Sequence, residues 1–124
     1  MSESPATILL IDDHPLLRQG IKQLIDMEDD MDVAGEASNA ADGIRLATEL
    51  EPDLILMDLN MPEMDGLEAT RLIRQQGETV PIIALSAHVG EQEIDGFIKA
   101  GMNDVLRKPF REDQLFCVLD KWIA

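Results

Sequence analysis

Apolar residues in this chain follow two alternating rhythms. Ala6 to Ile11 (ATILLI), Asp53 to Asp58 (DLILMD) and Pro81 to Ser86 (PIIALS) are short, continuous apolar runs, as expected of strands covered on both faces. Asp32 to Ala37 is a weaker strand, and Asp104 to Arg107 a short one. Between them the spacing turns helical. From Leu16 to Met27, residues Leu17, Ile21, Leu24 and Ile25 recur on one face, with Pro15 suited to the first turn. Ser38 or Asn39 caps a helix through Ile44, Ala47 and Leu50, which Pro52 stops. Further helices are predicted from about Met64 to Gln76 (ended by Gly77), from Glu91 to Ala100 (closed by Gly101) and from Glu112 to Ile123.

Five strand–helix units with connections too short for hairpins require crossover connections, hence a parallel sheet. The predicted class is a doubly wound α/β fold. One domain takes up residues 1–124, with an ordered core over about 6–123, and no linker or low-complexity tract interrupts it. In such sheets ligands bind beyond the carboxyl ends of the strands, where the strand order reverses. The residues just after each strand are therefore the place to look for chemistry.

Composition narrows the classes. The 124 residues carry 10 Lys and Arg against 25 Asp and Glu, a formal net charge of −15. That balance repels nucleic acid and anionic membrane surfaces, so no direct nucleic-acid contact is expected from these residues. The 45% hydrophobic content is too high for an acidic disordered tail. The start, Met1-Ser2-Glu3-Ser4-Pro5, does not resemble a signal peptide, and no apolar run approaches the roughly 18–20 residues that span a bilayer. Cys117, the single cysteine, lies in an apolar stretch and is expected to be a small buried hydrophobe. A cytoplasmic location is the expectation.

The strand ends carry the chemistry. Asp12 and Asp13 follow the first strand, Asp58 ends the third, Ser86 ends the fourth, and Lys108 and Pro109 follow the fifth. An acidic pair after a strand is often only a helix cap. Here three carboxylates, a hydroxyl and an amine converge on one sheet edge, which independent capping roles would not produce. Clustered carboxylates repel, and a hard divalent cation relieves the conflict; Mg2+ is typically held by one or two carboxylates with a phosphate oxygen and waters. A metal-bound carboxylate flanked by an amine and a hydroxyl is suited to accept a phosphoryl group.

These residues resemble the receiver domain of two-component response regulators, the chemotaxis-regulator-like fold. The motifs are Ile11-Asp12-Asp13-His14-Pro15, Leu56-Met57-Asp58-Leu59-Asn60-Met61-Pro62, Met64-Asp65-Gly66, Pro81-Ile82-Ile83-Ala84-Leu85-Ser86-Ala87 and Lys108-Pro109-Phe110, and the likeness runs from about Thr7 to the end. It implies a flavodoxin-like five-stranded sheet of order 2-1-3-4-5 with five helices. It makes Asp58 the phosphoacceptor, with Asp13 and Asp58 as Mg2+ carboxylates, Asp12 acting through water and Asn60 offering its backbone carbonyl. Ser86 fills the hydroxyl position and Lys108 that of the amine, on a cis Lys108–Pro109 bond that orients it toward Asp58. The implied partners are a histidine kinase or histidine phosphotransfer domain, and a phosphorylation-dependent dimer or output-domain contact. The first half is similar to receivers of nitrate-responsive regulators with helix-turn-helix outputs. The second half looks more like receivers attached to hybrid histidine kinases.

One position departs from the family. Three residues before Lys108, where an aromatic usually turns inward, stands Val105, and the chain contains no Tyr. The expected function is a phosphorylation switch acting through the face of the fourth helix, fifth strand and fifth helix. The alternative is a receiver-like interaction module whose phosphorylation does not drive the aromatic swing. A flavin-binding domain on this fold needs a phosphate-cradling loop where Asp12 and Asp13 stand. A haloacid-type hydrolase needs a proton-shuttling acid where Asn60 stands. His14 and His88 are poor Mg2+ ligands, since that ion favours oxygen, although His88 could govern water access. Met61 and Met64 are expected to pack in turns, Trp122 to join the core or a partner-facing patch, and Glu28-Asp29-Asp30 and Arg111-Glu112-Asp113 to be solvated.

Overall fold

A computed structural model describes residues 5–59, 66–86 and 90–123, the side chains of 91–93 excepted. Strand and helix alternate through them: β1 (Ala6–Ile11), α1 (Pro15–Asp26), β2 (Met31–Ala37), α2 (Ala40–Leu50), β3 (Leu54–Asp58), α3 (Gly66–Gln75), β4 (Ile82–Ser86), α4 (Glu91–Ala100), β5 (Asp104–Arg107) and α5 (Glu112–Ile123). Every strand pairing is parallel and the sheet order is β2-β1-β3-β4-β5, the flavodoxin-like arrangement.

The ends of the elements have local causes. Asn39 rather than Ser38 caps α2, its side chain accepting a hydrogen bond of 2.8 Å from the Asp42 backbone N–H. Glu51 closes that helix at φ 46, and Pro52 follows. Asp53 stands just before β3, its backbone N–H donating to the Thr7 carbonyl at 2.8 Å and its carboxylate accepting from the Thr7 backbone N–H at 2.9 Å. The start predicted for the third helix, Met64, lies outside the described residues. Gly101 ends α4 at φ 110, a conformation that only glycine adopts without strain.

Strand alternation divides the core between the two faces of the sheet. Leu9, Ile11, Ile55, Met57, Ile82 and Ala84 point toward α2, α3 and α4, where Ala47, Ile73 and Phe97 meet them. Ile8, Leu10, Leu54, Leu56, Ile83 and Leu85 point the other way, onto Ile21 and Ile25 of α1 and Leu115 and Leu119 of α5. The central strands β1, β3 and β4 are thus buried on both faces, which is why they read as unbroken apolar runs. β2 lies at the edge and alternates buried and exposed residues, which is why it read weakly.

Cys117 corrects an expectation. It is exposed. Leu115 and Leu119, four residues apart, take the inner stripe of α5, and the residue midway between them lies on the opposite side of the helix. Trp122 is half-buried against the edge of the α1–α5 core. The charge runs Glu28 to Asp30 and Arg111 to Asp113 are exposed; the first is a solvated turn, whereas Glu112 and Asp113 form the first turn of α5, with Asp113 paired to Arg111 at 3.0 Å. No helix among the described residues is long and apolar enough to cross a membrane.

Candidate functional site

Topology puts the site at the one place where the winding reverses. From β1 the chain first moves outward to β2, then crosses back over β1 to β3, leaving a crevice beyond the carboxyl ends of β1 and β3. Register sets what faces it. Ile11 pairs with Met57, so the next residues, Asp12 and Asp58, emerge side by side. Asp58 pairs with Leu85 and Ser86 with Arg107, so Ser86 and Lys108 arrive on the same edge from the neighbouring strands.

The carboxylates are held almost out of water. Asp58 is 0% exposed and Asp12 2%, while Asp13 keeps partial access. The Lys108 ammonium lies 3.2 Å from Asp58 Oδ1, and its backbone N–H donates to the Ser86 carbonyl at 2.8 Å, fixing where β5 delivers the side chain. The Lys108–Pro109 peptide is cis. Ser86, at 3% exposure, closes the site from β4. Gly66 sits so close below that a Cβ there would stand 2.6 Å from Leu59 Cδ2 and 3.0 Å from the Asp58 carbonyl oxygen, so glycine lets α3 begin directly behind the acceptor.

Two residues join the site that the strand-end reading did not include. The backbone N–H of His14 donates to Asp12 Oδ1 at 2.7 Å, folding the imidazole back over the acids. His14 Nδ1 then lies 3.0 Å from Asp12 Oδ1, 3.2 Å from Asp13 Oδ1 and 3.2 Å from Asp58 Oδ2. Arg18, one turn into α1, donates from Nη1 to the Asp12 backbone carbonyl at 2.7 Å and pairs through Nε with Glu36 at 3.1 Å, tying the loop after β1 to β2. Asn60 and His88 lie outside the described residues, as do Met61 and Met64. Val105 is half-buried and packs against the α2–α4 side of the core.

The electrostatics follow from burial. Loss of water pushes the Asp12 carboxyl above its ordinary range; the His14 backbone N–H pulls it back, and the charge of Asp58 pushes it up again. The Asp12 hydrogen bond raises the His14 imidazole above its usual value, against some desolvation, and the three acids reinforce it. Asp12, Asp13, His14 and Asp58 each offer one ligand atom, all within 4.8 Å of one another. Asp12 Oδ2 and Asp13 Oδ1 are buried atoms that receive no hydrogen bond among the described residues. Buried carboxylate oxygens without a donor are what a hard cation of the Mg2+ class would satisfy, so the residues present fit such an ion.

Comparison with known proteins agrees with the geometry. A family model described as the response regulator receiver domain matches residues 8–120. The nitrate/nitrite response regulator protein NarL of Escherichia coli (strain K12) is 47% identical over 123 residues, 99% of this chain and 57% of the relative. The transcriptional regulatory protein YdfI of Bacillus subtilis (strain 168) is 42% identical over 113 residues, 91% of this chain and 53% of the relative. The chain therefore spans about half the length of these curated relatives. Among solved structures, a two-component response regulator of the LuxR family from Aurantimonas sp. SI85-9A1 superposes with a TM-score of 0.91 at 34% identity, covering 98% of this chain and 86% of that one. The chemotaxis protein CheY4 of Vibrio cholerae superposes with a TM-score of 0.90 at 25% identity, covering 96% of this chain and 99% of the other. The likeness to the nitrate/nitrite regulator extends through both halves of the chain, and nothing here supports a hybrid-kinase origin for the second half.

Proposed function

This chain belongs to the response regulator receiver domain family, and on that premise we propose that it is the phosphoacceptor switch of a two-component relay, with Asp58 taking a phosphoryl group from a phosphohistidine donor. The observation that carries the reading is the fully buried Asp58 carboxylate, 3.2 Å from the Lys108 ammonium and beside Asp12 and Asp13. A carboxylate oxygen of Asp58 attacks phosphorus in line. The bond from phosphorus to the donor nitrogen breaks, and its electron pair remains on the imidazole of the donor. Lys108 neutralises charge on the transferred oxygens, and the Ser86 hydroxyl donates to one of them once the acyl phosphate has formed. Asp13 and Asp58 would hold Mg2+ directly, Asp12 through water and Asn60 through its backbone carbonyl. When bound, that ion supplies charge neutralisation at the phosphoryl group. Hydrolysis of the acyl phosphate by water returns the switch to its resting state.

The donor is a histidine kinase or histidine phosphotransfer domain. Its docking surface would be the apolar groove of about 720 Å³ lined by Leu16, Leu17, Gly20, Ile21, Leu24 and Phe110, because Lys108 also lines it and pairs with Asp58 at 3.2 Å. Leu16 is 85% exposed at its rim. Phosphorylation biases the face of α4, β5 and α5, where a dimer or an output domain makes contact. A second reading keeps the chemistry but not the usual transmission. Val105 has no ring to swing inward, so the response would run through Ser86 and repacking of the loop that follows it.

Incubation with Mg2+ and a small acyl phosphate, followed by a phosphate-affinity gel, tests the chemistry. The wild type should shift and Asp58→Asn should not. Equal incorporation by both, or none by the wild type, removes the proposal.

A further inference from the structure

We propose that His14 supplies a nitrogen ligand at the acidic cluster, so that this site takes a first-row transition dication of the Co2+ class with a selectivity over Mg2+ that carboxylates alone would not give. The inference rests on the reading that Asp12, Asp13 and Asp58 form a cation site. It goes beyond it in the identity of the fourth donor and of the ion.

The imidazole does not approach the cluster from one side. Nδ1 lies 3.0, 3.2 and 3.2 Å from oxygens of three different carboxylates, an equidistant position above the triad. Neighbouring ligands of an octahedral ion with bonds of about 2.1 Å stand roughly 3.0 Å apart, so these spacings match the edges of one coordination shell. The backbone makes the placement: the His14 N–H is anchored to Asp12 Oδ1 at 2.7 Å, and Pro15 starts α1 at the next residue, which fixes the direction from which the ring enters.

An independent observation points to a missing electrophile. Asp12 is 2% exposed, and while its Oδ1 accepts the His14 backbone N–H, its Oδ2 receives no hydrogen bond among the described residues. A buried carboxylate oxygen left so is costly unless something cationic completes it. Oxygens of Asp13 and Asp58, Asp12 acting through water, and one imidazole nitrogen form a mixed donor set. Imidazole adds little to a Mg2+ site, since that ion prefers oxygen, but it strengthens binding along the first transition row.

The test uses the wild type and His14→Ala. His14 is 56% exposed and makes no side-chain cap bond to α1, so its truncation leaves the fold intact, which near-ultraviolet circular dichroism will verify. Titrations run well above the ordinary imidazole pKa of about 6.5, so that the ring is free to ligate. Calorimetric titration should show Co2+ affinity falling by roughly 10-fold or more in the variant, while Mg2+ affinity changes by less than about 3-fold. Pulsed electron paramagnetic resonance of bound Mn2+ should show coupling to an imidazole nitrogen in the wild type and none in His14→Ala. If Mn2+ binds with no nitrogen coupling, or both ions lose affinity equally, the nitrogen ligand is refuted while the cation site survives. If His14→Ala raises the affinity for both ions, the ring is a built-in counter-ion that metal must displace, and the proposal is overturned. If neither Mn2+ nor Mg2+ binds the wild type, the cation site falls with it.

Discussion

Replacing Asp12 by Asn should make the metal-free protein more stable, although it removes a residue of the site. Asp12 is 2% exposed and Asp58 0%, and their ligating oxygens lie within 4.8 Å of each other. Two unit charges at that separation repel by about 3 kcal/mol at an effective permittivity of roughly 20. Lys108, 3.2 Å from Asp58, offsets part of this but faces only one of the two acids directly. Asparagine keeps the oxygen that accepts the His14 backbone N–H at 2.7 Å, so the loop after β1 retains its anchor. The lost attraction to the His14 ring is small, because that ring is 56% exposed and its charge is screened by water. The expected net gain is about 1–2 kcal/mol.

Urea unfolding in the presence of a chelator, followed by fluorescence of Trp122, the only tryptophan, measures it. The gain should persist at about 0.5 M salt, since buried charges are little screened. Adding Mg2+ should narrow or reverse the order, because the wild type gains binding free energy that the variant has partly lost. An Asp12→Asn protein no more stable than wild type in chelator would refute the reasoning: the acids would then be solvated or compensated well enough to carry no strain.

Two further perturbations lie away from the site. Asp104 is drawn upward by partial burial, but hydrogen bonds from the Trp122 indole at 2.8 Å and from the Val105 backbone N–H at 2.8 Å, with Lys121 at 3.4 Å, outweigh that and hold its carboxyl below the ordinary carboxylate value. A depressed folded pKa means a contribution that is complete above the unfolded value of about 3.9 and is lost as pH falls through the lower folded value. Asp104→Asn should therefore cost about 1 kcal/mol at neutral pH, with the difference shrinking below about pH 4 in urea unfolding; a pH-independent difference would contradict the ionic part of the contact. Gly101→Ala should lower stability by about 1–2 kcal/mol in thermal unfolding, since Gly101 sits at φ 110 and a Cβ there would stand 2.9 Å from Arg74 Cγ. Arg74 donates through both Nε and Nη2 to the Gly101 carbonyl, so a neutral result would mean that this contact yields freely.

What could be read from the sequence depended on whether a residue's position follows from one element or from several. Asp12, Asp58, Ser86 and Lys108 were legible because each stands at a strand's carboxyl end, and parallel strands in register bring their ends to one edge. His14 was set aside on ligand chemistry alone. Its signal was geometric: an Asp two residues upstream can accept the backbone N–H, and that short turn carries the ring back over the strand end. Cys117 was misplaced because a continuous apolar stretch in a helix was read without its period, which puts Leu115 and Leu119 inside and the residue between them out.

Arg18, Arg74 and Trp122 were beyond reach for another reason. Their partners, the Asp12 carbonyl, the Gly101 carbonyl and the Asp104 carboxylate, are met only after two elements have been placed against each other. No period records such a meeting. The same limit applies to Val105. Its half-buried place beside the α2–α4 core follows from strand alternation, but on the proposed function the transmission of a signal past it depends on what moves with Ser86. A valine fills that space in one rotameric well where an aromatic would have two discrete homes. A switch built on it would draw its bistability from elsewhere than this side chain. Ser86→Ala should then abolish the long-range response while leaving phosphoryl uptake by Asp58 largely intact, and a phosphorylation-induced change at α5 that survives in that variant would place the moving part elsewhere.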